Sequence, residues 1–579
     1  MNIEGQPKEY GPTLPFSVET HERKYRQEGE TFREAMSRIA NTLADDPTHF
    51  YKFRDILLPQ RFLPGGRVQA SIGSPRKTTA FNCFVSTTIE DSMNGIMEAA
   101  KEAAQTMRLG GGIGYDFSTI RPRGDLITTL DSKSSGVLSF MQIFDSVCST
   151  VASAGQRRGA QMGVLRVDHP DIEEFIEAKT NSDNLTQFNV SVGVTDEFMR
   201  AVTKGTDFPL VFNGRTYRRV DAGYLFDKIM RATWDWAEPG ILFIDRINEM
   251  NNLYYCETIA ATNPCGEQPL PPYGACLLGS FNMVKYLIKD KDNYKFDWEL
   301  FEQDIPTVVR AMDNIIDRTV YPLKQQEKEA QNKRRMGLGV TGMANAGEAL
   351  GKPYGGPSYI RWMDKVLKTL MNESYRASSL IAKDKGSFPL YDAESYLEGA
   401  FIKKLDEDVQ ESIRKNGMRN SHLTSIAPTG TISISADNVS SGIEPVFSVE
   451  YDRTVIMDDS SRKVERVSDY GFRELGVRNP VTADECSVEE HVNVLVHASK
   501  WMDSAVSKTL NVGDHVTWEE FKNIYLSAWK GGAKGCTTFR AAGERYGILN
   551  KVTPETGVVD GEEGAACYYD VTTGKKTCE

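Results

Sequence analysis

Thr262-Asn263-Pro264-Cys265-Gly266-Glu267-Gln268-Pro269-Leu270 sets an amide, a thiol and a carboxylate at alternate positions. In an extended backbone, residues two apart point to the same face. Pro264 and Gly266 favour an irregular, loop-like setting. Asn263, Cys265 and Glu267 are therefore expected to be presented together. A thiol there can do nucleophilic or radical chemistry, a carboxylate can move a proton, and an amide can orient a substrate hydroxyl. Alone, so short a pattern reads equally well as a buried cysteine in a proline-rich loop.

Two further cysteines extend the pattern outward. Cys276 lies in Gly274-Ala275-Cys276-Leu277-Leu278-Gly279-Ser280-Phe281-Asn282, and Cys83 in Phe81-Asn82-Cys83-Phe84-Val85-Ser86. Both contexts are apolar and strand-like, where a free cysteine is by default a small buried hydrophobe. The chain has nine cysteines in 579 residues, too few for a disulfide scaffold. With no apolar leader at Met1–Lys8, the odd count favours a reducing cytosol, hence a cytoplasmic location. There a functional cysteine is more often catalytic or metal-binding than a staple. The 68 Lys and Arg against 80 Asp and Glu leave a net charge of −12, which excludes broad coating of a nucleic-acid polymer. It does not exclude a local pocket for one anion. No stretch is long and apolar enough for a membrane span.

Further out, helical and extended patterns alternate, which predicts an α/β class. Thr31–Ala40, Asp91–Leu109, Asp171–Lys179 and Leu225–Trp236 read as helices. Residues 82–87 and 188–194 read as strands, the second alternating Phe188, Val190, Val192, Val194. Gly110-Gly111-Gly112-Ile113-Gly114 reads as a flexible turn. No internal repeat and no long linker divides the middle. We expect a helical N-terminal segment (1–60), one large catalytic domain (61–550) and a Gly-rich acidic C-terminal tail (551–579). The tail ends with Cys567 and Cys578, too few ligands for a structural zinc site, so no metal site is expected.

Asn263–Leu270 followed by Cys276–Asn282 resembles the catalytic core of ribonucleotide reductases. The ordered blocks Asn82–Val85 with Glu90–Ser92, Gly110–Gly114, Gly155–Ala160, Asn332–Gly339 and Ala427–Ser433 carry the same resemblance. It implies a ten-stranded α/β barrel with a central catalytic finger loop. It implies that Cys265 carries a transient thiyl radical, Glu267 takes the 3′-hydroxyl proton and Asn263 holds the substrate hydroxyls. Cys83 and Cys276 would supply two reducing equivalents and end as a disulfide. Cys567 and Cys578 would re-reduce that disulfide by thiol exchange with a thioredoxin- or glutaredoxin-type dithiol. Ala427, Pro428, Thr429, Gly430, Thr431, Ile432 and Ser433 would cradle the substrate phosphate.

The radical source follows from a finer resemblance. Gly532–Arg540, Val167–Phe175 and Asp503–Asn511 look like the adenosylcobalamin-dependent class. Reductases with a separate metal radical subunit relay the radical through a tyrosine pair near Cys536-Thr537-Thr538, where this chain has none; that class is the alternative. Tyr254-Tyr255 lies before the catalytic loop, in the wrong place for the relay. The resemblance further implies a deoxynucleoside triphosphate effector on Asp91, Ser92 and Arg121 at a homodimer interface, with Thr180–Gln187 reporting effector identity. Asp91-Ser92 also reads as a helix N-cap. The first substrate loop departs from the common Ser-Pro-Thr and reads Pro64-Gly65-Gly66-Arg67. With some sixty residues ahead of the first barrel-like block, no overall-activity site is expected. Cys148, Cys256, Cys486 and Cys536 keep ordinary side-chain roles.

Overall fold

The computed structural model describes residues 10–127, 131–153, 160–180, 184–456, 462–540, 567–570 and 575–578. The N-terminal part folds as three helices, Pro15–Tyr25, Phe32–Leu43 and Pro47–Leu57. Phe32–Leu43 starts where sequence logic puts it. Thr31 accepts from the Glu34 backbone N–H while Glu34 reaches back to the Thr31 N–H, a reciprocal capping box. Its apolar stripe, Phe32, Met36, Ile39 and Leu43, is buried. These helices are not a separate unit, because they share one apolar cluster with the long helices Trp298–Arg318 and Pro357–Lys385.

The strands that frame the site are β1 (Phe62–Pro64), β2 (Cys83–Val85), β3 (Gly112–Asp116), β4 (Gln161–Arg166), β5 (Phe188–Val194) and β6 (Gly240–Phe243). They continue as β7 (Ala275–Cys276), β8 (Leu278–Asn282), β9 (Gly337–Thr341), β10 (Thr509–Val512) and β11 (Gly535–Arg540). An eight-stranded sheet runs in the order β7-β2-β3-β4-β5-β6-β11-β10, and a three-stranded sheet in the order β1-β8-β9. From β2 to β6 every neighbour is parallel, and β6 meets β11 antiparallel. The fold is mixed α/β, as the alternation predicts.

The ten-stranded closed barrel is not what the hydrogen bonds make. Among the described residues the ladders are open, and only isolated bridges, Leu338 with Thr424 and Ile426 with Val506, link the sheets' far edges. At those bridges the segment Leu423–Ile426 bonds backbone to backbone with Leu338 on one side and with Ser504–Ser507 on the other. The Asp503 carboxylate accepts the Leu423 N–H at 2.6 Å and the Thr424 N–H at 3.1 Å. Those donors are spent on a side chain and are not available to a neighbouring strand.

The turn expected at Gly110–Gly114 is also corrected, since Gly112–Asp116 is strand β3. Its glycines serve close approach. A Cβ on Gly114 would lie 1.8 Å from the Thr262 carbonyl oxygen. The core has two large apolar layers and a small inner one. Phe188, Val190, Val192 and Val194 of β5 face an outer helical layer. Cys83, Met162, Leu242, Cys276, Leu278 and Ala427 make the inner cluster. Among the described residues, no helix is long and apolar enough to cross a membrane.

Candidate active site

Ala261-Thr262 pairs antiparallel with Pro269-Leu270, so Asn263–Gln268 forms the tip of a narrow hairpin. The tip is a tight turn, not an extended stretch: the Gly266 N–H donates to the Asn263 carbonyl at 3.1 Å, with Gly266 at φ +80°. Asn263 closes the turn from inside, its Oδ1 accepting from the Gln268 N–H at 3.0 Å. Glu267 is 1% exposed and Asn263 fully buried, whereas Cys265 is half-buried. The Asn263 Nδ2 has no hydrogen-bond partner. A buried amide donor left open at the tip of a hairpin is poised to meet a ligand oxygen.

The hairpin is clamped on both sides. The Ser425 hydroxyl donates to the Glu267 carbonyl at 2.9 Å, as does the Ala505 N–H. Asn189 of β5 donates from Nδ2 to the Pro264 carbonyl at 3.0 Å. A Cβ on Gly112 would touch Pro264 Cγ at 3.2 Å and Cys83 Sγ at 3.3 Å. The loop and the Cys83 thiol therefore meet over one glycine of β3.

Cys83 and Cys276 face one another across the antiparallel β2–β7 pair, in direct register. Directly opposed residues on such a pair have Cα atoms about 4.5–5.5 Å apart, inside the range a disulfide bridges. Both are free thiols. Burial pushes the Cys276 thiol well above its ordinary range, and the neighbouring Cys83 and the Glu267 carboxylate add to the shift. Cys276 is thus held as S–H at neutral pH. The pair can lose two electrons and two protons together, and Glu267 stands beside it to take or give a proton.

Cys265 and Gly266 also line a small solvent-open cavity, whose wall includes Asn189, Ser191, Gly240, Ser507, Lys508 and Thr537. Thr537 and Ser191 both lie against Gly240, whose added Cβ would sit 3.3 and 3.0 Å from their hydroxyls. The wall residues Asn189, Ser191 and Lys508 escape a sequence reading aimed at reactive groups. The signal for the first two lies in β5 itself. In a strand buried along its whole length, polar residues alternate with the valines, so one face is a polar interior.

The other expected positions fall as follows. Thr429 stands at φ +55°, uncommon for a β-branched residue. It is held there by the Gly442 N–H, which donates to its Oγ1 at 2.7 Å, and by Thr341 Oγ1 at 2.9 Å. Gly430–Ile434 then makes one short helical turn. Asp91 and Arg121 pair at 2.8 Å, partly exposed. Ser92 caps the helix Met93–Arg108 by accepting from the Gly95 N–H at 3.0 Å. The Tyr254 and Tyr255 hydroxyls donate to the carbonyls of Ser395 and Leu390. Cys148, Cys486 and Cys536 are buried, and Cys256 is exposed. Cys567 and Cys578 are register partners across a two-stranded antiparallel ladder. Gly155–Gly159 and Asn181–Asp183 lie outside the described residues. Among the described residues no cluster of His, Cys, Asp and Glu has a metal-holding arrangement.

Comparison with known proteins places this geometry. The family model described as "Ribonucleotide reductase, barrel domain" matches residues 81–539. The vitamin B12-dependent ribonucleoside-diphosphate reductase of Mycobacterium tuberculosis is 34% identical over 532 residues, covering 87% of this chain and 74% of that protein. A reductase of the same name from Thermoplasma acidophilum is 34% identical over 556 residues, covering 91% and 69%. The vitamin B12-dependent ribonucleotide reductase of Streptomyces clavuligerus is 28% identical over 627 residues, covering 93% and 64%. The matched region runs from the strand of Cys83 to the last strand of the main sheet and encloses the clamped loop, and on that ground the chain belongs to the ribonucleotide reductase family.

Proposed function

We propose that this chain reduces ribonucleoside diphosphates to 2′-deoxyribonucleotides by thiyl-radical chemistry, with adenosylcobalamin as the radical source. The observation that carries the reading is the reduced Cys83–Cys276 pair, in direct cross-strand register beneath the loop that holds Cys265 and Glu267. The open Asn263 amide donates to a ribose hydroxyl, and Cys265 takes the 3′ hydrogen atom. Glu267 accepts the 3′-hydroxyl proton. Cys83 and Cys276 then give two electrons and two protons as the 2′-hydroxyl leaves as water, and their sulfurs join. The balance is one C–OH and two S–H converted into one C–H, one water and one S–S bond. A protonated Cys276 suits the donor role, because the step needs S–H and not thiolate.

The cofactor assignment draws on the names of the relatives and on the residues around Cys265. Thr537 and Thr538 occupy the place where a class with a separate metal subunit needs a tyrosine pair, so that alternative is not favoured. The cavity beside Cys265 combines apolar wall residues (Met162, Ile241, Leu242) with hydroxyl and amide groups and the charged Glu238 and Lys508, a mixed lining of the kind that holds a cofactor's sugar and base. Adenosylcobalamin, when bound, supplies the one-electron chemistry that oxidises a thiol. Ser191, Ser507 and Thr537 would hold its adenosyl group and exclude water from Cys265. Anaerobic incubation of the chain with adenosylcobalamin, a ribonucleoside diphosphate and a dithiol is expected to form deoxynucleotide. Activity that appears only on adding an iron or manganese subunit would overturn the assignment.

The remaining roles belong to the same proposal. Ala427–Ser433 receives the diphosphate, aided by the stapled turn at Thr429. Asp91, Ser92 and Arg121 receive a deoxynucleoside triphosphate effector at a homodimer interface, and Thr180–Gln187 carries its identity inward. The two open sheets wrap the finger loop as a barrel-like enclosure, with β7 running directly into β8 and the bridges at Thr424 and Ile426 marking the other seam. Residues 1–60 are its helical lead, 61–550 the catalytic domain and 551–579 the redox tail, in a cytoplasmic protein. The register of Cys567 with Cys578 supports the tail's role as a dithiol that exchanges with the Cys83–Cys276 disulfide and then with a thioredoxin- or glutaredoxin-type reductant. Truncation after Asn550 is expected to leave single turnover near wild type and to block multiple turnover with a protein reductant. Sustained turnover of the truncated chain, measured with thioredoxin, would remove the tail assignment.

A further inference from the structure

The Cys265 thiol must point at a substrate carbon on one side while remaining open to the cavity on the other. What sets its direction is the peptide plane before it. The Pro264 carbonyl, the Cys265 N–H and the Cys265 Cα share that plane, so holding the carbonyl fixes where that Cα sits and leaves one backbone torsion to aim its Cβ. On the C-terminal side the Gly266 N–H closes the turn onto the Asn263 carbonyl at 3.1 Å, but nothing outside the turn packs on Gly266, where an added Cβ would meet nothing within 4 Å. The next fixed point is the Glu267 carbonyl, held by Ser425 and Ala505.

Asn189 supplies the restraint on the N-terminal side. It is 6% exposed, and its Nδ2 donates to the Pro264 carbonyl at 3.0 Å. Its strand is braced from outside the hairpin. The Val190 N–H donates to Glu238 Oε1 at 3.2 Å, and Glu238 pairs with Lys179 at 2.9 Å, with both side chains largely buried. The donor is therefore mounted on a rigid support and reaches the one carbonyl that governs the thiol.

We infer that Asn189 is a positioning residue that sets the direction of the Cys265 thiol by holding the Pro264 carbonyl. It touches the loop backbone and acts on the reacting sulfur through it. The inference rests on the reading of Cys265 as the radical-bearing thiol.

The test compares Asn189→Asp and Asn189→Ala in the full chain. Aspartate matches asparagine in shape, removes the donor and turns a carboxylate oxygen towards the carbonyl. Both variants are expected to lose roughly 10²-fold in kcat with KM within about twofold, the cost of misplacing a reacting atom by about 1 Å. Cys265 alkylation by iodoacetamide, followed by peptide mass mapping, is expected to change rate several-fold while Cys83 alkylation does not. A thermal melt of each variant separates this from unfolding. Wild-type kcat and Cys265 alkylation in Asn189→Asp, with loss only in Asn189→Ala, would mean that Asn189 merely fills space, and the inference would fall. A change in KM equal to the change in kcat/KM would also overturn it. Full turnover by Cys265→Ser would instead overturn the radical reading itself, so the two failures are distinguishable.

Discussion

Replacing Cys265 by serine is expected to lower deoxynucleotide formation by about 10⁴-fold or more while the protein stays folded. Serine matches cysteine in shape, and the side chain is only half-buried, so little packing is lost. The clamps on either side, Asn189 on the Pro264 carbonyl and Ser425 on the Glu267 carbonyl, do not involve the sulfur. Stability is therefore expected to change by less than about 0.5 kcal/mol, as for a substitution outside the packed core. The chemistry differs sharply, because an O–H bond is far stronger than an S–H bond and a serine oxygen is not a hydrogen-atom carrier. Assay by product chromatography, with nucleotide binding by calorimetry as the control, checks both halves. Measurable turnover within tenfold of wild type would rule out a thiyl at this position.

The largest expected effect on stability lies away from the thiols. Asp313 is fully buried, and its Oδ1 accepts from Arg334 Nε at 2.8 Å and from Asn420 Nδ2 at 2.9 Å. Its Oδ2 accepts from Arg419 Nε at 3.1 Å. Asp313→Ala leaves the two guanidinium groups without that carboxylate, one of them with a side chain only 5% exposed. Removing one partner of a buried pair costs about 3–5 kcal/mol, since the remaining charge is stranded in low dielectric. Chemical denaturation is expected to show a loss of that order. A loss below about 1 kcal/mol would mean that Asp317, which also pairs with Arg334 at 2.8 Å, carries the charge by itself. The cluster gives Arg334, in the block Asn332–Gly339, a structural role: it ties the start of β9 to the segment leading into Leu423 and Thr424.

That cluster marks where sequence reading stops. The Ser92 N-cap, the alternating valines of β5 and the helix patterns are local, set by residues within a turn or two of one another, and they fold as read. The candidate nucleophile, proton carrier and dithiol were named only through the family resemblance, because the short Asn-x-Cys-x-Glu pattern and the two strand cysteines read equally well as ordinary buried residues. Gly112 and Gly114 were misread, since a glycine needed for close approach looks like a glycine needed for a turn until the approaching Thr262 carbonyl is known. Asn189 was invisible as a loop anchor because its partner is a backbone carbonyl distant in the chain.

By itself the sequence determined the set of reactive groups, the α/β alternation and the resemblance that the family match bears out. Only the tertiary structure decided how those groups meet. It sets Cys83 opposite Cys276 through a pairing only two residues long, and it brings the Asp503 carboxylate to the Leu423 and Thr424 N–H groups across some eighty residues of chain. The physical reason is the same in each case. A contact between distant segments depends on which backbone groups remain unpaired and which surfaces remain uncovered once every other element has packed, and no local pattern carries that information.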